Sequence, residues 1–317
     1  MSVAFALSVA WMALMAESRP QVVVVVGATG TEEYGKVFEK AADQWQAAAK
    51  KGGAEFVCIG REAEGKEQDR DKLRTFLTET PRSGTAPLWV VLIGHGTDDG
   101  KEARFNLRGP DVTAKELAEW LGPVKRPVAV INCASASAAF INHLSGPDRV
   151  VITATRSGSE SNYARFGEYM AAAIDDPAAD LDRDGQVSLL EAFLTAASRV
   201  REFYRTEARL ATEHALIDDS GDKLGSPADW FQGVRATTRA KDGTPADGPR
   251  AHQWHLVPSE RERALPADVR KRRDELELAL AALREQKDRL SEDEYFARVE
   301  KVVVELARLY SGTKPVR

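Results

Sequence analysis

Only two cysteines, Cys58 and Cys133, occur in the 317 residues. They are too few for a disulfide framework and are not spaced as metal ligands, so each is a structural thiol or a reactive one. An excess of positive charge is also missing: 44 Lys and Arg stand against 49 Asp and Glu, a formal net charge of −5. That balance lacks the basic footprint of a nucleic-acid binder, and no nucleic-acid partner is expected. Beyond residue 16, no stretch stays apolar for the roughly 18 to 20 residues that crossing a bilayer requires. No internal repeat is present.

What is present is an ordinary core-forming composition, 43% hydrophobic and 29% charged, enough for one large domain with an appendage or two. Val3 to Ala16, VAFALSVAWMALMA, is apolar and ends in small residues, like the core and cleavage region of a secretory signal. No Lys or Arg precedes it, so a mis-called start or a short buried helix are the competing readings. Residues 1–20 are read as this signal-like segment and imply export to a periplasmic or extracellular location. Without a signal the protein would be cytoplasmic.

From Gln21 to about Arg156, short runs rich in β-branched residues alternate with helical patterns. The strand runs are Val22 to Val26, Ala54 to Gly60, Leu88 to Gly94, Arg126 to Ala134 and Val150 to Thr155. Runs apolar throughout, separated by helices such as Tyr34 to Ala49 and Asp71 to Leu77, are what a parallel sheet covered on both faces produces. The fold class is α/β. Ala103 to Leu107 alternates like a hairpin arm, and Thr113 with Glu116 forms a capping box for a helix over Ala114 to Leu121. Residues 240–260 read as a connector with a last strand. Residues 261–317 read as a helical hairpin turning near Ser291, with Leu276, Leu280 and Leu283 on one stripe and Tyr295, Val299, Val302, Val303, Leu306 and Leu309 on another. Such a hairpin suits packing or a protein partner.

The third run, VVLIGHG, ends by presenting His95 between two glycines, and the fourth, PVAVINCASAS, ends by presenting Cys133 among small residues. Parallel strands lying side by side deliver their carboxyl ends to one edge, where open α/β sheets build their sites. His95 and Cys133 are therefore expected as neighbours. An imidazole beside a thiol raises its thiolate fraction or shuttles its proton. Small flanking residues leave room for substrate backbone, and the amides of Gly96 and Cys133 are candidate oxyanion donors. Cys58, in EFVCIG, has no such partner and is read as core.

A hydrophobic strand ending in His-Gly, followed 38 positions after the His by a Cys flanked by small residues, resembles the caspase and legumain clan of cysteine peptidases. The closer resemblance is to bacterial legumain-like peptidases, over about Val22 to Met170. It implies a caspase-like three-layer α/β/α fold, with a mainly parallel central sheet over residues 21–239. It further implies endopeptidase activity through a Cys133 acyl-enzyme, with His95 as general acid and base and Gly96 at the oxyanion. VVITATRSGSESNYARFGEYM, Val150 to Met170, is similar to the segment shaping legumain's specificity pocket, which implies Ser161, Asn162 and Glu168 as substrate-binding residues. Ile131-Asn132 departs from the Glu-Ala or Gln-Ala that precedes the family's Cys, and no arginine after the first strand matches the one in legumain's pocket. A pocket floored by Glu168 alone matches a basic substrate residue better than Asn.

DLDRDGQVSLLE places Asp180, Asp182, Asp184, Gln186, Ser188 and Glu191 at the ligand positions of an EF-hand loop, with Gly185 at the sharp turn. Ca²⁺ is the cofactor this pattern predicts, and no organic cofactor is. A helix from Leu189 to about Tyr204 is expected to follow. IDDSGDKLG, Ile217 to Gly225, lacks the closing Glu and is read as a loop. His252 and His255, in AHQWHLV, fall on opposite faces of a strand-like run and are not read as shared metal ligands. Two other functions stay open. GTEEYGKV, Gly30 to Val37, nearly matches a phosphate loop, although Val37 has no hydroxyl for Mg²⁺ and two glutamates sit inside it. A catalytically silent caspase-like scaffold that binds a partner through the hairpin is the other.

Overall fold

The computed structural model describes residues 19–62, 65–241 and 243–312; the signal-like segment over Val3 to Ala16 lies outside them. The chain opens with β1 (Gln21–Val26), α1 (Glu32–Gly52), β2 (Glu55–Ile59), α2 (Asp69–Glu79) and β3 (Leu88–Ile93). A small antiparallel sheet follows, β4 (Gly96–Asp98), β5 (Ala103–Phe105) and β6 (Val112–Thr113), where the hairpin arm was expected. Then come α3 (Ala114–Leu121), β7 (Val128–Asn132), α4 (Ala139–Leu144), β8 (Arg149–Thr153), α5 (Phe166–Ala173), α6 (Leu189–Thr206), β9 (Leu216–Asp218) and β10 (Ser226–Pro227). The Thr113 capping box forms as its spacing predicts, the hydroxyl accepting from the Glu116 amide at 3.1 Å.

The central sheet has seven strands in the order β10-β9-β8-β7-β3-β1-β2, parallel from β2 to β8 and antiparallel at β9 and β10. This is the α/β class and mainly parallel sheet that the apolar runs imply. Every residue of β3 and β7 is buried, because helices cover both faces. On one face Val22, Val24, Trp89, Val91 and Ile131 pack against Trp45 of α1 and Phe193 of α6. On the other, Val23, Val25, Val90, Leu92 and Val130 pack against Leu73 of α2, Leu117 of α3 and Phe140 of α4. The order reverses at β1, which sits between β2 and β3. Open sheets of this type form a crevice there, outside the carboxyl ends of the strands.

Cys58 is only half-buried, because β2 is the edge strand and shields one side alone. Beyond the sheet lie α7 (Pro249–His252), α8 (Glu260–Ala264), α9 (Ala267–Glu285) and α10 (Glu292–Gly312). The expected last strand is replaced: Pro249 at the first helical position starts a short helix over Pro249–His252, and among the described residues no strand follows. α9 and α10 form the expected antiparallel hairpin, Arg272 early in α9 pairing with Glu305 late in α10 at 2.6 Å. Leu276 is buried as its stripe predicts, whereas Val303 faces outward at 45% exposure.

Candidate active site

Hydrophobic β3 and β7 are adjacent and parallel, with Leu92 opposite Asn132. His95 and Cys133 therefore leave the sheet from neighbouring strand ends. A third element, the loop after β1, brings Thr29 and, from the first two turns of α1, Tyr34 and Phe38. These two aromatics, four positions apart, share one helix face. The His95 ring packs edge-on against Tyr34 (4.9 Å between centroids) and Phe38 (5.4 Å), and Tyr163 from the loop after β8 closes over it at 5.9 Å. His95 Nε2 lies 3.4 Å from the Thr29 carbonyl, which can only accept. In the neutral ring that contact suits a proton on Nε2 and leaves Nδ1 as the basic nitrogen.

Cys133 is 2% exposed. It lines a narrow cavity with Phe38, Tyr163, Gly167 and Glu168. A Cβ on Gly167 would stand 2.7 Å from the Cys133 Cβ, so only glycine lets α5 approach the thiol this closely. Burial pushes the Cys133 thiol up to about 12, far from a reactive thiolate at neutral pH. Sequence spacing brings the two strand ends together correctly. The two side chains share Phe38 and Tyr163 as neighbours, the imidazole packing on their rings and the thiol lying in the cavity they line, against Gly167 of α5.

Neither expected oxyanion donor is free. The Cys133 amide continues the sheet ladder to the Leu92 carbonyl at 2.9 Å. The Gly96 amide donates to Ser135 Oγ at 3.2 Å, and that hydroxyl donates to the Gly96 carbonyl at 3.1 Å. Ser135, which the motif reading treated as a spacer, thus holds a hydroxyl oxygen where a substrate oxygen would meet Gly96.

Of the three expected pocket residues, Ser161 and Asn162 are exposed on the loop after β8, while Glu168 reaches the cavity. Glu168 is not the solitary charge expected. The Tyr163 phenol donates to its Oε1 at 2.9 Å, and Arg165 lies 3.5 Å away. The Arg165 guanidinium stacks over Phe203 of α6 at 4.2 Å, which holds it beside the carboxylate. Tyr163 was not anticipated: a single aromatic in a polar loop gives no periodic signal.

The EF-hand-like segment folds as a compact loop leading into α6. Asp180 accepts from the Asp184 and Gly185 amides at 3.1 and 3.0 Å, and Gly185 takes a φ of +92 that favours glycine. Carboxylate oxygens of Asp180, Asp182 and Asp184 lie within 4.8 Å of one another. Ser188 caps α6, accepting from the Glu191 amide at 3.2 Å. Both Glu191 oxygens are already used: Oε1 accepts from Leu181 and Asp182 amides, and Oε2 from Ser188. The Gln186 side chain instead accepts from the Ser259 amide at 2.9 Å. His252, freed from the strand alternation assumed for it, places Nε2 3.1 Å from Asp182 Oδ2 and within 4.8 Å of a Glu191 oxygen. His255 is separate and half-buried, its imidazole pushed down to about 4 by desolvation.

The phosphate-loop resemblance fails structurally. Helix α1 already begins at Glu32, with Thr31 as its N-cap accepting from Tyr34, so no extended loop surrounds a phosphate. Lys36 pairs with Glu32 one turn back at 2.7 Å and is largely solvated. In the acidic run from Ile217 to Gly225, Asp218 accepts from the Gly221 and Lys223 amides at 2.9 Å each, and Asp219 accepts from the Gly248 and Ala251 amides.

No protein-family model matches this sequence, and no curated protein matches it. Among solved structures the fold is similar to the Drosophila initiator caspase Dronc, at 16% identity and a TM-score of 0.43, covering 64% of this chain and 81% of that one. Caspase-1 from Spodoptera frugiperda is similar at 10% identity and a TM-score of 0.41, covering 64% of this chain and 86% of that one. Both likenesses are loose, and the chemistry of this chain rests on its own residues.

Proposed function

We propose that the chain is a cysteine endopeptidase with Cys133 as nucleophile and His95 as proton carrier. The supporting observation is the pairing of β3 with β7, which sends one histidine and one cysteine out of neighbouring strand ends into the crevice. In this reading His95 takes the thiol proton and the Cys133 sulfur bonds to the scissile carbonyl carbon. The carbonyl electron pair moves onto oxygen, facing the Gly96 amide once Ser135 has turned away. The C–N bond then breaks as His95 returns the proton to the departing amine. Water hydrolyses the thioester, releasing the acid and restoring the thiol. General acid help of this kind contributes typically about 10² to 10⁴-fold.

The buried thiol makes the described arrangement a closed, resting form. Opening means displacing Tyr163 from above the cavity, which also uncovers Glu168. A substrate Arg or Lys would then replace Arg165 at that carboxylate, so cleavage after basic residues is the specificity proposed.

For the acidic loop we propose Ca²⁺, which supplies a hard cation joining the loop to the start of α6. Three carboxylates gathered within 4.8 Å, all oxygen donors on a loop turned by Gly185, fit that ion. Asp180, Asp182, Asp184, the Gln186 carbonyl, Ser188 and Glu191 would hold it. Glu191 would have to release the Leu181 and Asp182 amides to do so.

The test is turnover of fluorogenic peptides varied at the residue before the scissile bond, with millimolar Ca²⁺, beside Cys133→Ala. Cleavage after Arg or Lys that vanishes in the variant supports the peptidase. A second reading, a catalytically silent scaffold, is favoured by the inaccessible thiol, and equal silence of both proteins, with and without Ca²⁺, would make it or an unprocessed zymogen the leading account.

A further inference from the structure

Outside the Cys133 cavity, Arg239, Gly243, Pro245 and Ala246 from the segment before α7 line, with α9, two adjoining cavities of about 420 and 680 Å³. No residue lining them lines the cavity of Cys133. Volumes of this order take drug-sized ligands or a few residues of peptide.

The charges in this cleft are divided in a particular way. Its acids are satisfied from within the protein. Asp219 accepts from the Gly248 and Ala251 amides at 2.8 and 2.7 Å, and Asp247 from the Asp219 and Ser220 amides and the Ser226 hydroxyl. Glu285 accepts from the Ala246 amide at 2.7 Å, and Glu277 from Gln253 at 3.2 Å. The cations are not so engaged. Arg250 pairs with Asp148, but among the described residues Arg235, Arg239, Arg284 and Arg289 have no carboxylate partner. Arg239 is half-buried and lines both cavities. A half-buried guanidinium whose neighbouring carboxylates are held by amides and hydroxyls, with no direct ion pair of its own, is left free to grip a planar oxyanion through two N–H groups.

The walls narrow the class of ligand. Val234, Leu278, Leu280, Ala281 and Pro245 supply apolar surface between the arginines. No Phe, Tyr or Trp lines either cavity, so a nucleic-acid base finds no stacking platform. We propose that this cleft binds an acidic peptide segment, its carboxylates on Arg239 and Arg284 and its aliphatic side chains against Leu280 and Ala281. The proposal is independent of peptidase activity, because the cleft and the Cys133 cavity share no residues.

The test is fluorescence anisotropy of a fluorescein-labelled peptide alternating Asp or Glu with Leu, titrated with the full chain at low salt. Saturable binding is expected, weakened roughly tenfold or more by Arg239→Glu with Arg284→Glu, since reversing two contacting charges removes attraction and adds repulsion. Arg201→Glu on α6, outside the cleft, makes a smaller charge change and should leave the affinity unchanged. Circular dichroism of each variant keeps folding separate from binding. No saturable binding by the folded wild type, equal loss in Arg201→Glu, no loss in the double variant, or tighter binding of inorganic pyrophosphate or single-stranded DNA than of the peptide would each overturn it.

Discussion

The phenol of Tyr163 donates to Glu168 Oε1 at 2.9 Å, and the two residues together line the cavity that holds Cys133. One hydrogen bond thus fastens the ring that covers both the thiol and the imidazole. Burial and the adjacent Glu168 push the phenol's own ionisation up, so it stays a donor across the working pH range.

Releasing that ring should expose the thiol. With its ionisation raised to about 12, Cys133 in the wild type should react with iodoacetamide slowly at pH 8. Tyr163→Ala should speed the modification roughly tenfold or more, because rehydration returns the thiol toward its ordinary range of about 8.5. Intact-mass spectrometry, with Cys58→Ser as background to remove the other thiol, reads the rate. Equal rates with and without the ring would show that Tyr163 is not the barrier. This readout is independent of whether any peptide is cleaved.

Calcium should stabilise the fold through the loop before α6. At a Ca²⁺ concentration about 100 times its Kd, a site present only in the folded state adds about 2.7 kcal/mol, a Tm rise of several degrees. EGTA should reverse the rise, and Asp180→Asn with Asp184→Asn should abolish it. A Tm indifferent to Ca²⁺ in the wild type would remove the ion from the account.

Asp247 should make stability pH-dependent. Burial, with Asp219 beside it, raises its carboxyl from 3.8 to about 7. Asp219 and Asp218 are the charges that act on it, and Arg235, Arg239, Arg284, Glu277 and Glu285 line the same cavity. Between those values the folded protein holds a proton that the unfolded chain has lost. Its contribution is therefore full below about pH 4 and is lost as pH rises through about 7. Urea unfolding of wild type and Asp247→Asn across this window should show the wild type losing stability relative to the non-titrating variant as pH rises, and a constant difference would disprove the assignment.

The ion pair of Glu262 and Arg273 should anchor α8 to α9. Both residues are under a tenth exposed, at 9% and 8%, and Arg273 grips both carboxylate oxygens, with Nη2 to Oε1 at 2.9 Å. Glu262→Ala leaves a buried guanidinium with reduced compensation from Asp274, and a loss of about 3 to 5 kcal/mol is expected. Chemical denaturation measures it; a change under about 1 kcal/mol would mean that Asp274 alone suffices.

The strands and the main helices were legible because their signals are local. Four apolar runs became the buried parallel strands β1, β3, β7 and β8, since burial on both faces needs unbroken hydrophobicity, the fifth became the half-exposed edge strand β2, and Thr113 capped its helix because the partner lies three residues away. The last strand was misjudged: the spacing of His252 and His255 says nothing about Pro249, whose fixed φ starts a helix instead. Tyr163 was invisible for a related reason, since its partners Tyr34 and Phe38 on α1 and His95 after β3 come from two distant segments.

The chain's own order of residues dictated that His95 and Cys133 emerge from strand ends and that six oxygen-bearing residues share one loop, because these depend on alternation and short-range spacing alone. Only tertiary packing decided that the thiol is buried, that Ser135 occupies the Gly96 amide, that Glu168 is matched by Arg165, and that four arginines line a cleft with no direct ion pair among the described residues. Those properties depend on desolvation and on pairing between segments far apart in the chain, and neither is encoded at any single position.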